Sequence, residues 1–420
     1  MASRSQARQG SRPAQVQALV DITNAGSEAD TCEGPAAPQE LHCSLRVIMS
    51  GWIPVFTLPN VFVKDPIEVE YVALVSPDDS RCKEYGKTNK NFPKFLRSFT
   101  DAFRRKVTPS VVLMREDAPK WVRSHEAIGG FRDAISISAV AHNKTSSILY
   151  SNARSHQYST FFDFYAWNLS KELNILVTDN PAMLGMDTID DFMGQSIAGL
   201  PTSRSEGLDT DETLLNALLG EWPRRFSRSS ATWRSRALFR SLNMAHAAAQ
   251  IPPLVDLTAQ SLGRHVALWV SAFEILTHPQ DGDAGLKEVY RVLESVDWRM
   301  ADCKDIVHDC YLGRSGRRRK GNLPCWIYGE MYHARNDYLH GNALSDDRLV
   351  VKSSGRNLFQ FAPTLYRLLL TGFLGIDFYG PPTADKTTEV QRILNFRFEN
   401  RQGDHERAIS RVLKPPAKDD

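Results

Sequence analysis

The sequence predicts an α+β protein: a mixed α/β N-terminal domain followed by an all-α helical bundle. Three observations carry this. Short β-branched or alternating apolar runs are confined to about the first 200 residues. Beyond residue 212, apolar residues recur at three- and four-residue spacing through a succession of long segments. Between the two lies IAGLPTSRSEGLDTD, a Gly/Ser/Asp/Pro-rich stretch that reads as a linker. The expected boundaries are a flexible tail over 1–40, the N-terminal domain over 41–200, the linker over 201–212, the bundle over 213–400 and a polar tail over 401–420.

In chain order, residues 1–40 are rich in Ala, Gln, Ser, Gly and Pro, a composition with little to bury. Leu45 to Leu58 is apolar and β-branched, and Ile67 to Val75 alternates as a half-buried strand does. Phe92, Phe95, Leu96, Phe99 and Phe103 keep helical spacing and lead into Arg104, Arg105 and Lys106, cations suited to a helix C-terminus. Val111 to Met114 and Ala134 to Val140 read as strands; Phe161 to Trp167 and Leu173 to Val177 are further apolar candidates. Helices are expected over Thr213–Trp222, Ala231–Gln250, Leu257–His278, Gly285–Trp298, Pro324–Asn342 and Pro363–Leu374, with prolines stopping the second and third. The loop Gly313 to Gly321 is strongly basic and reads as mobile, and the end of the chain beyond Arg401 reads as polar and frayed.

Composition is that of an ordinary soluble protein. With 51 basic against 49 acidic residues the net charge is +2, so any nucleic-acid partner must be recognised by a local cluster. The six cysteines include no CxxC, which points to free thiols in a reducing, cytoplasmic setting. Cys303, His308, Cys310 and Cys325 fit no standard zinc module, so no metal or cofactor is expected. The opening MASRSQARQGSRPAQ has no apolar signal core, and no run of eighteen apolar residues suggests a membrane span.

The segment richest in chemistry is Pro324 to Asn342, PCWIYGEMYHARNDYLHGN. On a helical wheel Arg335 falls within an apolar arc, where a guanidinium must find an anion or acceptor. Asn336 and His340 are four apart, close enough for the amide to orient the imidazole, and His340 precedes Gly341 near the helix end. Glu274, at the edge of the stripe of the long apolar helix, is the expected counter-ion of Arg335. An Arg-x4-His spacing alone carries little, since Arg240 and His246 form a comparable pair by chance. The setting of Arg335 separates the two.

The pair of segments ALWVSAFEILTH (Ala267 to His278) and MYHARNDYLHGN (Met331 to Asn342) resembles the HEPN superfamily, and its Apea-like branch most. The resemblance covers about residues 230–380. It implies a HEPN-type helical bundle that forms a homodimer, with two Arg/His motifs meeting in the dimer cleft, and metal-independent RNA cleavage in a toxin or antiphage defence setting. Carried over, Arg335 holds the scissile phosphate, His340 moves the proton of the 2′-hydroxyl, Asn336 orients His340, and Glu274 positions Arg335. The products are a 2′,3′-cyclic phosphate and a 5′-hydroxyl. His333 is a further supporting contact, and Arg314, Arg317, Arg318, Arg319 and Lys320 are candidate RNA-backbone contacts. On this view the N-terminal part senses a trigger or a regulatory partner. Two alternatives stand beside it: a non-catalytic dimerisation or RNA-binding module in which Arg335–Glu274 is a structural ion pair and His340 a helix-end cap, and an antitoxin-like bundle working with a separate nucleotidyltransferase.

Overall fold

The computed structural model describes residues 51–101, 103–150, 156–166, 194, 207–227, 231–250, 259–313, 317–342, 346–376 and 401–415, all within one compact unit. The expected N-terminal tail, Leu173–Val177, residues 201–206 of the linker and Arg314 lie outside the described residues.

The chain is mixed α+β. An antiparallel sheet has the order β2-β3-β4-β1-β5, built from β1 (Trp52–Leu58), β2 (Ile67–Val69), β3 (Val72–Val75), β4 (Ser110–Arg115) and β5 (Tyr165–Ala166). The run read as one strand, Ile67 to Val75, folds back on itself: Val69 pairs with Val72 across a two-residue turn. The apolar runs of β3 and β4 are unbroken because both faces are covered. Val72, Leu74, Val112 and Met114 join the main core, while Ala73, Val75, Val111 and Leu113 pack against Phe92, Phe95 and Phe99. Those aromatics come from α2 (Asn91–Arg97), which follows α1 (Ser80–Thr88), and from the turn after it.

Three expectations fail here. The helix begun at Phe92 stops at Arg97 instead of continuing to Phe103, which is 69% exposed. Asp101 captures the chain beyond it, accepting from the backbone N–H groups of Phe103 and Arg105, so the basic triplet sits in a turn. Ala134 to Val140 is not a strand but the middle of α3 (His125–Tyr150). Its apolar run lacks a helical stripe because the helix is enclosed on several sides, packing on α4 (Glu212–Phe226), α5 (Trp233–Ala249) and α10 (Ala362–Leu374). The expected boundary at 201–212 thus falls between segments that share one core, which runs from Leu58 to Val412.

The helices of the C-terminal half lie close to their expected ranges: α4, α5, α6 (Ala259–Thr277), α7 (Leu286–Ser295), α9 (Leu323–Leu339) and α10, with a short α8 (Ala301–Lys304). Asp211, Thr232 and Asn322 cap α4, α5 and α9 through their side chains. The half is not all-α. The expected mobile basic loop is half of an antiparallel hairpin, β6 (His308–Tyr311) with β7 (Arg318–Gly321), laid on α9. Nor is the chain frayed beyond Arg401: residues 401–410 are helical (α11), with His405, Glu406, Ala408 and Ile409 fully buried. Among the described residues no helix is long and apolar enough to cross a membrane.

Candidate functional site

The site is built where α6 meets α9. Close approach is set by glycine: a Cβ on Gly263 of α6 would collide with the ring of Tyr338 on α9. Ile327, Met331 and Ala334 of α9 are buried, and Arg335 follows them with its side chain 22% exposed. Its Nη2 donates to Glu274 Oε2 on α6 at 3.0 Å, and the Glu274 side chain is 13% exposed. This is the pairing the wheel reading expects. Burial pushes the Glu274 carboxyl up from its ordinary value, and Arg335 pulls it back only in part. The guanidinium carbon lies 5.6 Å from the centre of the Tyr332 ring, and Nε is buried with no hydrogen-bond partner.

Asn336 does not orient His340. Its Oδ1 accepts from Arg335 Nη1 at 3.0 Å, so the amide serves the guanidinium. His340 is exposed at the C-terminal end of α9. Its position comes from the way the helix ends: Gly341 takes φ +69°, Gly341 N–H donates to Tyr338 O at 3.2 Å, and Asn342 N–H donates to Asp337 O at 2.9 Å. This double closure is the Schellman ending that glycine permits. Arg335 and His340 are separated by about 7.5 Å of rise and about 140° of rotation on ideal helix geometry. The fold therefore assembles Glu274, Arg335 and Asn336, and leaves His340 apart on the same helix.

His333 belongs to a different face. Its ring stacks on Tyr311 of β6, centroids 4.3 Å apart and planes 7° apart, and its Nε2 is 3.8 Å from Asp337 Oδ2. Burial lowers its affinity for a proton, and Arg348 adds to that against the pull of Asp337 and Glu330. Arg348 bonds Asp337 at 3.1 Å and Glu330 at 3.4 Å. Glu330, His333 and Asp337 occupy positions i, i+3 and i+7, so this stripe is readable from the sequence although its partners Tyr311 and Arg348 are not.

The basic segment is matched by acids. Arg318 pairs with Glu330 at 2.6 Å, Lys320 with Asp309 at 2.9 Å, and Arg319 with Glu294 while lying 4.9 Å over the Tyr290 ring. Arg317 is exposed just before β7. Lys320–Asp309 is exposed on both sides and is a pair of the kind that holds weakly, about 0–1 kcal/mol, whereas Glu330 is largely buried and shared between Arg318 and Arg348.

Chemically, the α6–α9 pair offers an anchored, partly exposed guanidinium and, further along, a solvent-facing imidazole. The chain matches no family model, no curated protein and no solved structure.

Proposed function

We propose that the α6–α9 face holds and cleaves an RNA phosphodiester, as a metal-independent endoribonuclease of the HEPN type acting as a homodimer. The observation that carries this reading is the Glu274–Arg335 pair across two helices, with His340 open to solvent on the helix that carries the arginine. Glu274 keeps the guanidinium extended and fixed when no RNA is bound. A phosphate displaces a carboxylate that burial already disfavours as an anion, and takes the planar donors in its place. His340 accepts the proton of the ribose 2′-hydroxyl as that oxygen attacks phosphorus, and the bond to the 5′-oxygen breaks as that oxygen takes a proton from solvent water. The 2′,3′-cyclic phosphate and 5′-hydroxyl follow. Arg317, Arg318, Arg319 and Lys320 guide the backbone, and the N-terminal sheet and α1–α2 regulate access in a cytoplasmic toxin or antiphage role.

The test is cleavage of mixed RNA in EDTA by wild type, Arg335→Ala and His340→Ala, each checked for native circular dichroism. Both variants are expected to lose cleavage entirely and the wild type to keep it in EDTA. Loss of wild-type cleavage in EDTA, or full activity of His340→Ala, defeats the reading.

A second reading, a non-catalytic dimerisation or RNA-binding module, is favoured by one observation: the Asn336 amide oxygen accepts from Arg335 and so is not what orients His340. Under it the wild type shifts RNA in gels without shortening it, and His340→Ala behaves identically.

A further inference from the structure

Trp269 and Glu274 are five positions apart on α6, about 140° around the helix, so they serve different faces. On the Trp269 face a cavity of about 40 Å³ lies between α3, α5, α6 and the start of α10. Its walls include Ala248, Ala249, Trp269 and Phe359, with Tyr158 and Lys144 beside them. The frame is braced on both sides: Thr145 Oγ1 and Thr364 Oγ1 bond at 3.0 Å, tying α3 to α10, and Ser159 Oγ donates to His246 O.

Among the described residues of the wall, Lys144 is the one cation. Its ammonium stands 4.1 Å from the centre of the Tyr158 ring, and among the described residues no carboxylate pairs with it. Burial lowers it to about 8, so it is mostly charged at neutral pH but poorly compensated. Lys144 is half-buried, with an aromatic face but no carboxylate partner among the described residues, and an arriving anion would complete its compensation.

We propose that this cavity is a binding site for a small carboxylate with a short apolar tail, the size class of propionate, with Lys144 as its counter-ion. Its volume equals that of roughly three bound waters, enough for the carboxylate and the first carbon of the tail. The rest lies toward the exposed side chain of Gln360 at the rim. The aromatic and alanine walls favour the alkyl part, and the single cation sets the charge.

The experiment is titration calorimetry on the full chain at pH 7 with sodium propionate and with propionamide, its neutral isostere, on wild type and Lys144→Gln. Saturable propionate binding that weakens at least tenfold in Lys144→Gln, with propionamide giving no saturable heat, supports the site. Equal affinity in Lys144→Gln, equal binding of propionamide, or no saturable heat at millimolar propionate overturns it. Should Lys144→Gln fail to fold, the propionate–propionamide comparison on wild type decides. No RNA enters the measurement, so its outcome is independent of the proposed nuclease.

Discussion

Neutralising Asp211 should remove a large fraction of the protein's stability. Asp211 and Arg367 are both fully buried, and Arg367 Nε donates to Asp211 Oδ2 at 2.7 Å. Arg367 Nη1 donates to Gln402 Oε1 at 2.7 Å and to Thr371 Oγ1 at 3.1 Å. Gln402 in turn bonds Glu406, whose carboxylate accepts from the N–H groups of Arg299 and Met300. One buried chain of polar contacts thus ties α10, α11, the start of α4 and the entry to α8. Asp211 Oδ1 also accepts from Leu214 N–H at 3.1 Å, capping α4. Asp211→Asn keeps an oxygen for the cap and removes the charge, so its cost isolates the stranded Arg367: about 3–5 kcal/mol. Asp211→Ala loses the cap as well, for about 1 kcal/mol more. Against a total of roughly 5–15 kcal/mol, either is severe. Urea denaturation followed by circular dichroism measures both, together with Arg367→Met and the double variant Asp211→Asn/Arg367→Met. In the double variant no buried charge is left without its partner, so its cost should fall below the sum of the singles by at least about 2 kcal/mol. Single-variant costs under about 1 kcal/mol, or simple additivity, refute the coupling. Burial alone would push the Asp211 carboxyl up; the Arg367 guanidinium, by its charge and its hydrogen bond, overcomes this and holds the carboxyl below the usual range. Its contribution is therefore present above the ordinary carboxylate pKa and is lost as pH falls toward the folded value.

Two histidines add a second acid sensitivity. Burial lowers His246 to about 4 and His405 well below its ordinary value, so both stay neutral in the fold while the unfolded chain protonates below about 6.5. Stability should fall by roughly 1.4 kcal/mol per pH unit per histidine from there down to each folded value, and His246→Gln should flatten the slope by about one proton; an unchanged slope contradicts this. Gly329→Ala should cost about 1–3 kcal/mol in the same denaturation assay, because its Cβ would meet the Tyr290 hydroxyl, which donates to Tyr311 O at 2.9 Å. Gly220→Ala, with open space around the new methyl, should instead stabilise α4 by about 0.5–1 kcal/mol; if both changes behave alike, the close approach of Tyr290 is not what Gly329 serves.

The helices from α4 to α7, with α9 and α10, could be read because their apolar residues recur at three- and four-residue spacing and most end on proline or glycine, even where, as in α10, the helix is buried all round. The long helix α3 could not, since a helix buried on several sides loses the stripe that distinguishes it from a strand. The segments β7 and α11 escaped for a different reason: RRKG and RQGDHERAIS look like solvated surface. Their polar side chains are satisfied by partners far away in sequence, such as Arg318 by Glu330 and Gln402 by Arg367. At the α6–α9 site, the pairing of Arg335 with Glu274 was readable because an arginine in an apolar arc must have an acceptor, and α6 supplies one acid at the right edge. The turn of Asn336 toward Arg335 was not readable. A wheel gives the direction in which a side chain leaves the helix, not where its amide settles, and adjacent residues can still meet when a long guanidinium bends back.

The separation of Arg335 from His340 makes the proposed reaction a question about two chains. On one helix the two side chains leave about 140° apart, so a phosphate held by Arg335 faces away from the His340 of the same chain. A two-fold axis beside the end of α9 would bring the second chain's imidazole to the first chain's guanidinium, and the reverse. This arrangement predicts complementation. Mixing equal amounts of Arg335→Ala and His340→Ala protein, each inactive alone, gives half heterodimers after subunit exchange. Each heterodimer contains one intact pair in trans, so activity should return to about a quarter of wild type. A pairing within one chain predicts none, because neither subunit then carries both groups. Mixing at rising protein concentration separates the cases further: trans activity grows with the fraction dimerised, whereas residual activity of a single variant scales simply with its amount. Mixtures that remain inactive, measured under conditions where wild type is dimeric and cleaves RNA, rule out a shared cleft and place both groups at one chain's own surface.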